Sequence, residues 1–154
     1  MYPITIETFP GAVLAALPHQ GSYQEIGPVF SRAFMLAVSR GLAGPEAIGF
    51  GVYFDDPEQV PAARLRSMAG MPVAPDADLG DELERFEIPA LRCAMLTYTG
   101  PYNEMDKAYN WMFSEWLPGS GSVPADFPMF EQYLNDPRTT PPAQLRTRIC
   151  MPLK

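Results

Sequence analysis

One residue with the chemistry to act stands out through a comparison internal to the chain. Glu131 lies in the strand-like run Met129-Phe130-Glu131-Gln132-Tyr133, and its frame recurs at Gly49-Phe50-Gly51-Val52-Tyr53. Glutamate thus stands where the earlier run has glycine. Strand alternation places Glu131 on one face with Met129 and Tyr133. Burying a carboxylate there costs several kcal/mol unless it is paired. A cationic ligand or a hydrogen-bond donor would supply the pairing. An arginine of a neighbouring strand (Arg92, Arg146 or Arg148) would also do so, and exposure to water would remove the need. A buried carboxyl has a raised pKa, which suits a general base.

Aromatic side chains form the second set. Tyr53, Tyr98, Tyr109 and Tyr133 offer ring faces to a flat or cationic ligand. Trp116 falls on the apolar stripe of a helix, and Trp111 falls off it as a cleft wall, an oligomer contact or an exposed ring. Gly49 and Gly51 leave open floor on the face that corresponds to Glu131, or mark a strand irregularity. Other chemistries lack their residues. His19 is the lone histidine and reads as a turn residue. Cys93 and Cys150 lie in apolar runs and read as reduced core thiols. No metal-ligand spacing, phosphate loop or nucleophile elbow is present, so no metal or cofactor is expected.

The elements that must position these groups come as two tandem copies. Residues 10–37 match 89–116: Pro10 with Pro89, Ala15 with Ala94, Leu17 with Leu96, Gly21 with Gly100, Tyr23 with Tyr102, Glu25 with Glu104, Phe34 with Phe113. Residues 50–72 match 130–152 after a slip of one residue: Tyr53 with Tyr133, Asp56-Pro57 with Asp136-Pro137, Leu65-Arg66 with Leu145-Arg146, Met71-Pro72 with Met151-Pro152. Each copy reads as strand, helix, strand, strand. The strands are Val13–Leu17, Ile48–Phe54 and Arg64–Met71, then Leu91–Tyr98, Phe127–Leu134 and Gln144–Met151. The first helix carries Ile26, Val29, Phe30, Ala33, Phe34, Ala37 and Val38 at helical spacing. Ser22 and Glu25 suggest a capping box, and Gly41 a stop. The second helix carries Met105, Ala108, Tyr109, Met112, Phe113, Trp116 and Leu117, ending at Pro118-Gly119. Tyr2–Thr8 and Leu83–Ile88 are predicted as extra strands, each pairing with the strand that follows it. The expectation is one α+β domain, residues 1–154, with repeats at about 1–73 and 82–154 joined by a linker at 74–81. Side-by-side packing would give an antiparallel sheet, two helices on one face and a groove at the pseudo-twofold.

Composition narrows the partners. The net charge is −7, and Lys107 and Lys154 are the only lysines. A nucleic-acid binder needs a basic footprint, so direct nucleic-acid binding is not expected. No apolar run is long enough for a membrane helix and no basic-then-apolar start marks a leader, so a cytoplasmic protein is expected.

The runs GSYQEIGPVF and TGPYNEMDKAY, FGVYFDDP and MFEQYLNDP, and the ending LRTRICMPLK resemble the GyrI-like family. That family includes effector-binding domains of transcription regulators and stand-alone gyrase-inhibitory proteins. The resemblance implies a duplicated βαββ (SHS2-like) fold with a ligand groove, and it maps the family's ligand-contacting glutamate onto Glu131 and its helix-two tryptophan onto Trp116. It implies a stand-alone module that binds lipophilic or aromatic molecules, cations among them, for multidrug or toxin sensing or sequestration. The expected ligand-binding set is Glu131, Tyr133, Trp116, Trp111, Tyr53, Gly51 and Tyr98. Two alternatives follow from the same resemblance. One is a hydrolase of cyclopropane-containing DNA-alkylating natural products, with Glu131 and a tyrosine such as Tyr133 as catalytic residues. The other is a protein that contacts DNA gyrase.

Overall fold

The computed structural model describes residues 2–44 and 48–154. In chain order the strands are β1 (Ile4–Phe9), β2 (Ala12–Gln20), β3 (Gly49–Tyr53), β4 (Arg66–Val73), β5 (Glu84–Ile88), β6 (Leu91–Thr99), β7 (Met129–Tyr133) and β8 (Arg146–Pro152). The helices are α1 (Gly27–Ser39), α2 (Asp106–Trp111) and α3 (Leu117–Ser120), with a π-helical turn, Met112–Trp116, joining α2 to α3. Eight antiparallel strands with few helices make this an α+β fold, and the strand–helix–strand–strand order recurs in both copies as predicted.

The chain divides into two compact units. One joins the first nine residues to Leu91–Lys154, and the other is Pro10–Ala90. Within the first the strand order is β1-β6-β8-β7, and within the second it is β3-β4-β2-β5. This corrects the sequence expectation for the two extra strands. β1 pairs with β6, from Ile4 opposite Leu96 to Phe9 opposite Leu91. β5 pairs with β2, from Ala12 opposite Ile88 to Ala16 opposite Glu84. Alternation tells a strand which face to bury but not which partner to take. Pro10 and Pro89 lack the N–H that a tight hairpin ladder would use. Gly11, at φ 95°, turns the chain where a Cβ would lie 3.2 Å from the Ile88 carbonyl oxygen and 3.3 Å from the Ala90 nitrogen. Only glycine meets both demands.

Each unit buries one sheet face under its helix. In the second unit Ala33 and Ala37 of α1 pack on Ala15, Leu17 and Met71, with Leu79 and Leu83 closing the edge. In the first unit Met105, Ala108 and Met112 pack on Ala94, Leu96, Ile149 and Met151. The helix ends differ from the sequence reading. Ser22 Oγ accepts from the Gln24 N–H at 3.3 Å and caps a 3-10 turn, Tyr23–Glu25, rather than α1 itself. Gly41 closes α1 through its N–H to the Val38 carbonyl, 3.0 Å away. The second helix runs past Pro118-Gly119 to Ser120 and stops at Gly121, φ 71°. Pro118 has no N–H for the Ser114 carbonyl of a regular α-helix and its ring crowds that carbonyl. The wider π turn directly before Pro118 is where the helix absorbs this.

Candidate functional site

Strand β7 places Glu131 by alternation. Met129, Glu131 and Tyr133 face the helix side, and the register sets Glu131 opposite Ile149 and Tyr133 opposite Thr147 of β8. Phe130 points to the other face, where its ring meets Phe9 edge-on at 5.0 Å. Glu131 is buried, with 6% of its surface exposed.

The carboxylate is held by two phenols. Tyr109, reaching down from α2, donates its hydroxyl to Glu131 Oε2. Tyr133, two residues along the same strand, donates to Glu131 Oε1 at 2.8 Å. Among the described residues no arginine or lysine forms an ion pair with it. Arg148 instead reaches Gln132 at 3.3 Å, and Arg92 and Arg146 are exposed. Two hydrogen bonds to a charged acceptor contribute roughly 1.5–3 kcal/mol each, against a desolvation cost of several kcal/mol. Desolvation wins. Burial pushes the Glu131 carboxyl above the usual glutamate range, and the two tyrosine hydroxyls pull back against it.

Tyr102 completes the aromatic surround. Its ring lies edge-on to Tyr133 at 5.6 Å and 67°. Burial, then the charge of Glu131, pushes its phenol up to about 12. Trp111 and Trp116 are half-buried and pack on the core of the same unit, Trp111 edge-on to Tyr2 at 5.5 Å. Tyr98 is buried, and its hydroxyl donates to the Pro101 carbonyl at 2.8 Å, closing the turn before Tyr102. Gly51 and Tyr53 belong to the other unit. Gly51 is buried in regular register opposite Ala69, and Tyr53 lies edge-on to Tyr23 at 4.8 Å. The structure thus joins Glu131 and Tyr133 by a hydrogen bond, packs the half-buried Trp111 and Trp116 against the core of that unit, and turns the Tyr98 hydroxyl to a backbone carbonyl.

Sequence reasoning treated Tyr109 as a ring on the helix stripe and missed its hydroxyl. The repeat carries the signal: its counterpart in the first copy is Phe30, just as the counterpart of Glu131 is Gly51. Acid and phenol are both polar additions to one copy, and they meet. Nothing in the repeat marks Tyr102, whose counterpart, Tyr23, is identical.

A carboxylate above its usual pKa, bonded to two neutral donors and walled by rings, attracts a cation or takes up a proton. No group of three or more metal-ligating side chains occurs among the described residues, and none of their helices is long and apolar enough to cross a membrane.

Known proteins share this architecture. A DNA gyrase inhibitor of Erwinia billingiae (strain Eb661) is 38% identical over 89 residues, covering 56% of this chain and 57% of that protein. The chain therefore aligns with little more than half the length of that relative. A DNA gyrase inhibitor of Edwardsiella piscicida is 31% identical over 147 residues, covering 89% of this chain and 90% of its own. Among solved structures, the C-terminal domain of EcmrR superposes with a TM-score of 0.80 at 19% identity, over 100% of this chain and 98% of that one. SAV2435 bound to tetraphenylphosphonium superposes with a TM-score of 0.65 at 14% identity, over 99% and 94%. A hydrolase from Listeria innocua gives 0.64 at 14%, over 98% and 91%. At these identities the superpositions speak to the fold alone. The family model of the GyrI-like small molecule binding domain matches residues 2–154, and the chain belongs to that family.

Proposed function

We propose that this small-molecule-binding domain takes up lipophilic, aromatic cations, with the Glu131 carboxylate as counter-ion and tyrosine and tryptophan rings as walls. One observation carries the reading: a buried carboxylate is bonded to two neutral phenols and, among the described residues, to no cation. A ligand cation would supply the missing charge, and the phenols would keep the acid aimed while the site is empty. Sensing or sequestration of such compounds follows as its use. The test is calorimetric titration with tetraphenylphosphonium, the ion named with SAV2435. The wild-type chain should bind it, and Glu131→Gln should bind at least about tenfold more weakly, a loss of about 1.4 kcal/mol. Equal affinity in the two proteins would sink the reading.

A second reading, a hydrolase of strained electrophiles, draws on the raised Glu131 carboxyl and its direct contact with tyrosine hydroxyls. Glu131 would take a proton from water as the water oxygen bonds to a ring carbon. The ring bond then breaks toward an adjoining carbonyl, and a phenol protonates the oxygen. Incubation with a cyclopropane-bearing alkylating natural product should then give a product heavier by one water, and Glu131→Gln should abolish it.

A further inference from the structure

The two copies use one tyrosine in two ways. In the second unit the Tyr23 hydroxyl is consumed by backbone. It lies 2.8 Å from the Asp55 carbonyl and 3.0 Å from the Arg66 carbonyl, and it accepts the Asp55 N–H at 3.0 Å. Its ring lies edge-on to Tyr53. In the first unit the matching ring pair is kept, Tyr102 against Tyr133. The hydroxyl anchor is not kept. The residues matching Asp55 and Arg66 are Asn135 and Arg146. Asn135 Oδ1 accepts the Arg146 N–H at 2.8 Å, its Nδ2 donates to the Gln144 carbonyl at 2.9 Å, and the Tyr102 hydroxyl bonds to none of the described residues.

Around Glu131 the other two phenols, Tyr109 and Tyr133, are occupied by the carboxylate itself. Thr147, opposite Tyr133, also has a hydroxyl without a hydrogen-bond partner, but so does its counterpart Ser67, so that feature is common to both copies. The freed Tyr102 phenol occurs only in the copy that carries the acid. It stays protonated well above neutral pH and so presents a donor.

We propose that the Tyr102 hydroxyl is a specificity-determining donor, which makes the Glu131 site select lipophilic cations that also carry a hydrogen-bond acceptor oxygen. The inference rests on Glu131 being the cation's partner, and the experiment separates the two. Two triphenylphosphonium ions serve as probes, one with a plain alkyl chain and one whose chain ends in a methyl ester. Each is titrated into the wild-type chain, Tyr102→Phe and Glu131→Gln. Tyr102→Phe keeps the ring and should leave the alkyl probe within twofold of wild type. It should weaken the ester probe about three- to tenfold, the size of one neutral hydrogen bond. Glu131→Gln should weaken both. A Tyr102→Phe protein that loses both probes equally, or neither, overturns the assignment while leaving Glu131 in place. Binding of both probes that is indifferent to Glu131, or absent from the wild-type chain, overturns both readings. Melting of Tyr102→Phe beside Tyr23→Phe checks the structural contrast: only the Tyr23 variant should lose stability, and an equal loss in both would show the Tyr102 hydroxyl to be a structural bond.

Discussion

At the scale of the residue, Glu131 is held between opposing effects: burial disfavours its charge, and two phenol donors favour it. Its carboxyl binds a proton more tightly when folded than the ordinary glutamate value of 4.5 allows, because burial outweighs the two phenol donors. The folded chain therefore binds more protons than the unfolded chain once the pH exceeds that value, and stability must fall as pH rises through the raised pKa. Glu131→Gln removes this term. The ligand-free variant should match the wild type below pH 4.5 and become progressively more stable than it as pH rises to 8 in chemical denaturation. A gap that stays constant with pH would contradict the linkage. Removing one donor moves the carboxyl the other way. Tyr133→Phe deletes a bond to the charged form, so the Glu131 carboxyl should titrate at still higher pH when followed by carbon-13 NMR. Binding and stability thus pull against each other at one side chain: the charge that would attract a cation is the charge that the folded chain holds at a cost.

Elements show how the duplicated design was kept and altered. Tyr23 ties its 3-10 turn to the end of β3 and the start of β4 through backbone bonds. Tyr23→Phe should cost about 1–3 kcal/mol in denaturant titration, since it strands backbone groups that the hydroxyl satisfied. Thr147 and Ser67 sit at matching places in β8 and β4 with buried, unpaired hydroxyls. Thr147→Val keeps the shape and deletes the unpaired group, so it should stabilise the chain by roughly 1 kcal/mol. A loss of stability would mean that the hydroxyl has a partner in solution. The second helix departs most from its counterpart. α1 is regular through Ser39, whereas α2 passes through a π turn ahead of Pro118. The two matched series also slip by one residue between helix and strand, and one extra residue is what a π turn accommodates.

For the whole molecule, the charge of −7 governs what it meets. Duplex DNA should show no mobility shift with this chain at physiological salt, because a net charge of −7 repels phosphates and few cations are present to release their counterions.

Much of this was legible in the residues alone. Strand and helix positions follow from short-range periodicity, and the duplication shows in matched pairs such as Asp56-Pro57 and Asp136-Pro137. Glu131 showed itself because one copy has an acid where the other has glycine. Three things needed the tertiary structure. The partners of β1 and β5 are decided by turns at Pro10-Gly11 and Pro89, since alternation is the same whichever neighbour a strand takes. The choice of phenol over arginine for Glu131 depends on Tyr109 arriving from a helix 22 residues away in sequence. The difference between Tyr23 and Tyr102, identical in type and repeat position, lies in which backbone carbonyls come within reach. Periodicity is a local property of the chain, whereas pairing, burial and proton affinity are set by groups that only folding brings together.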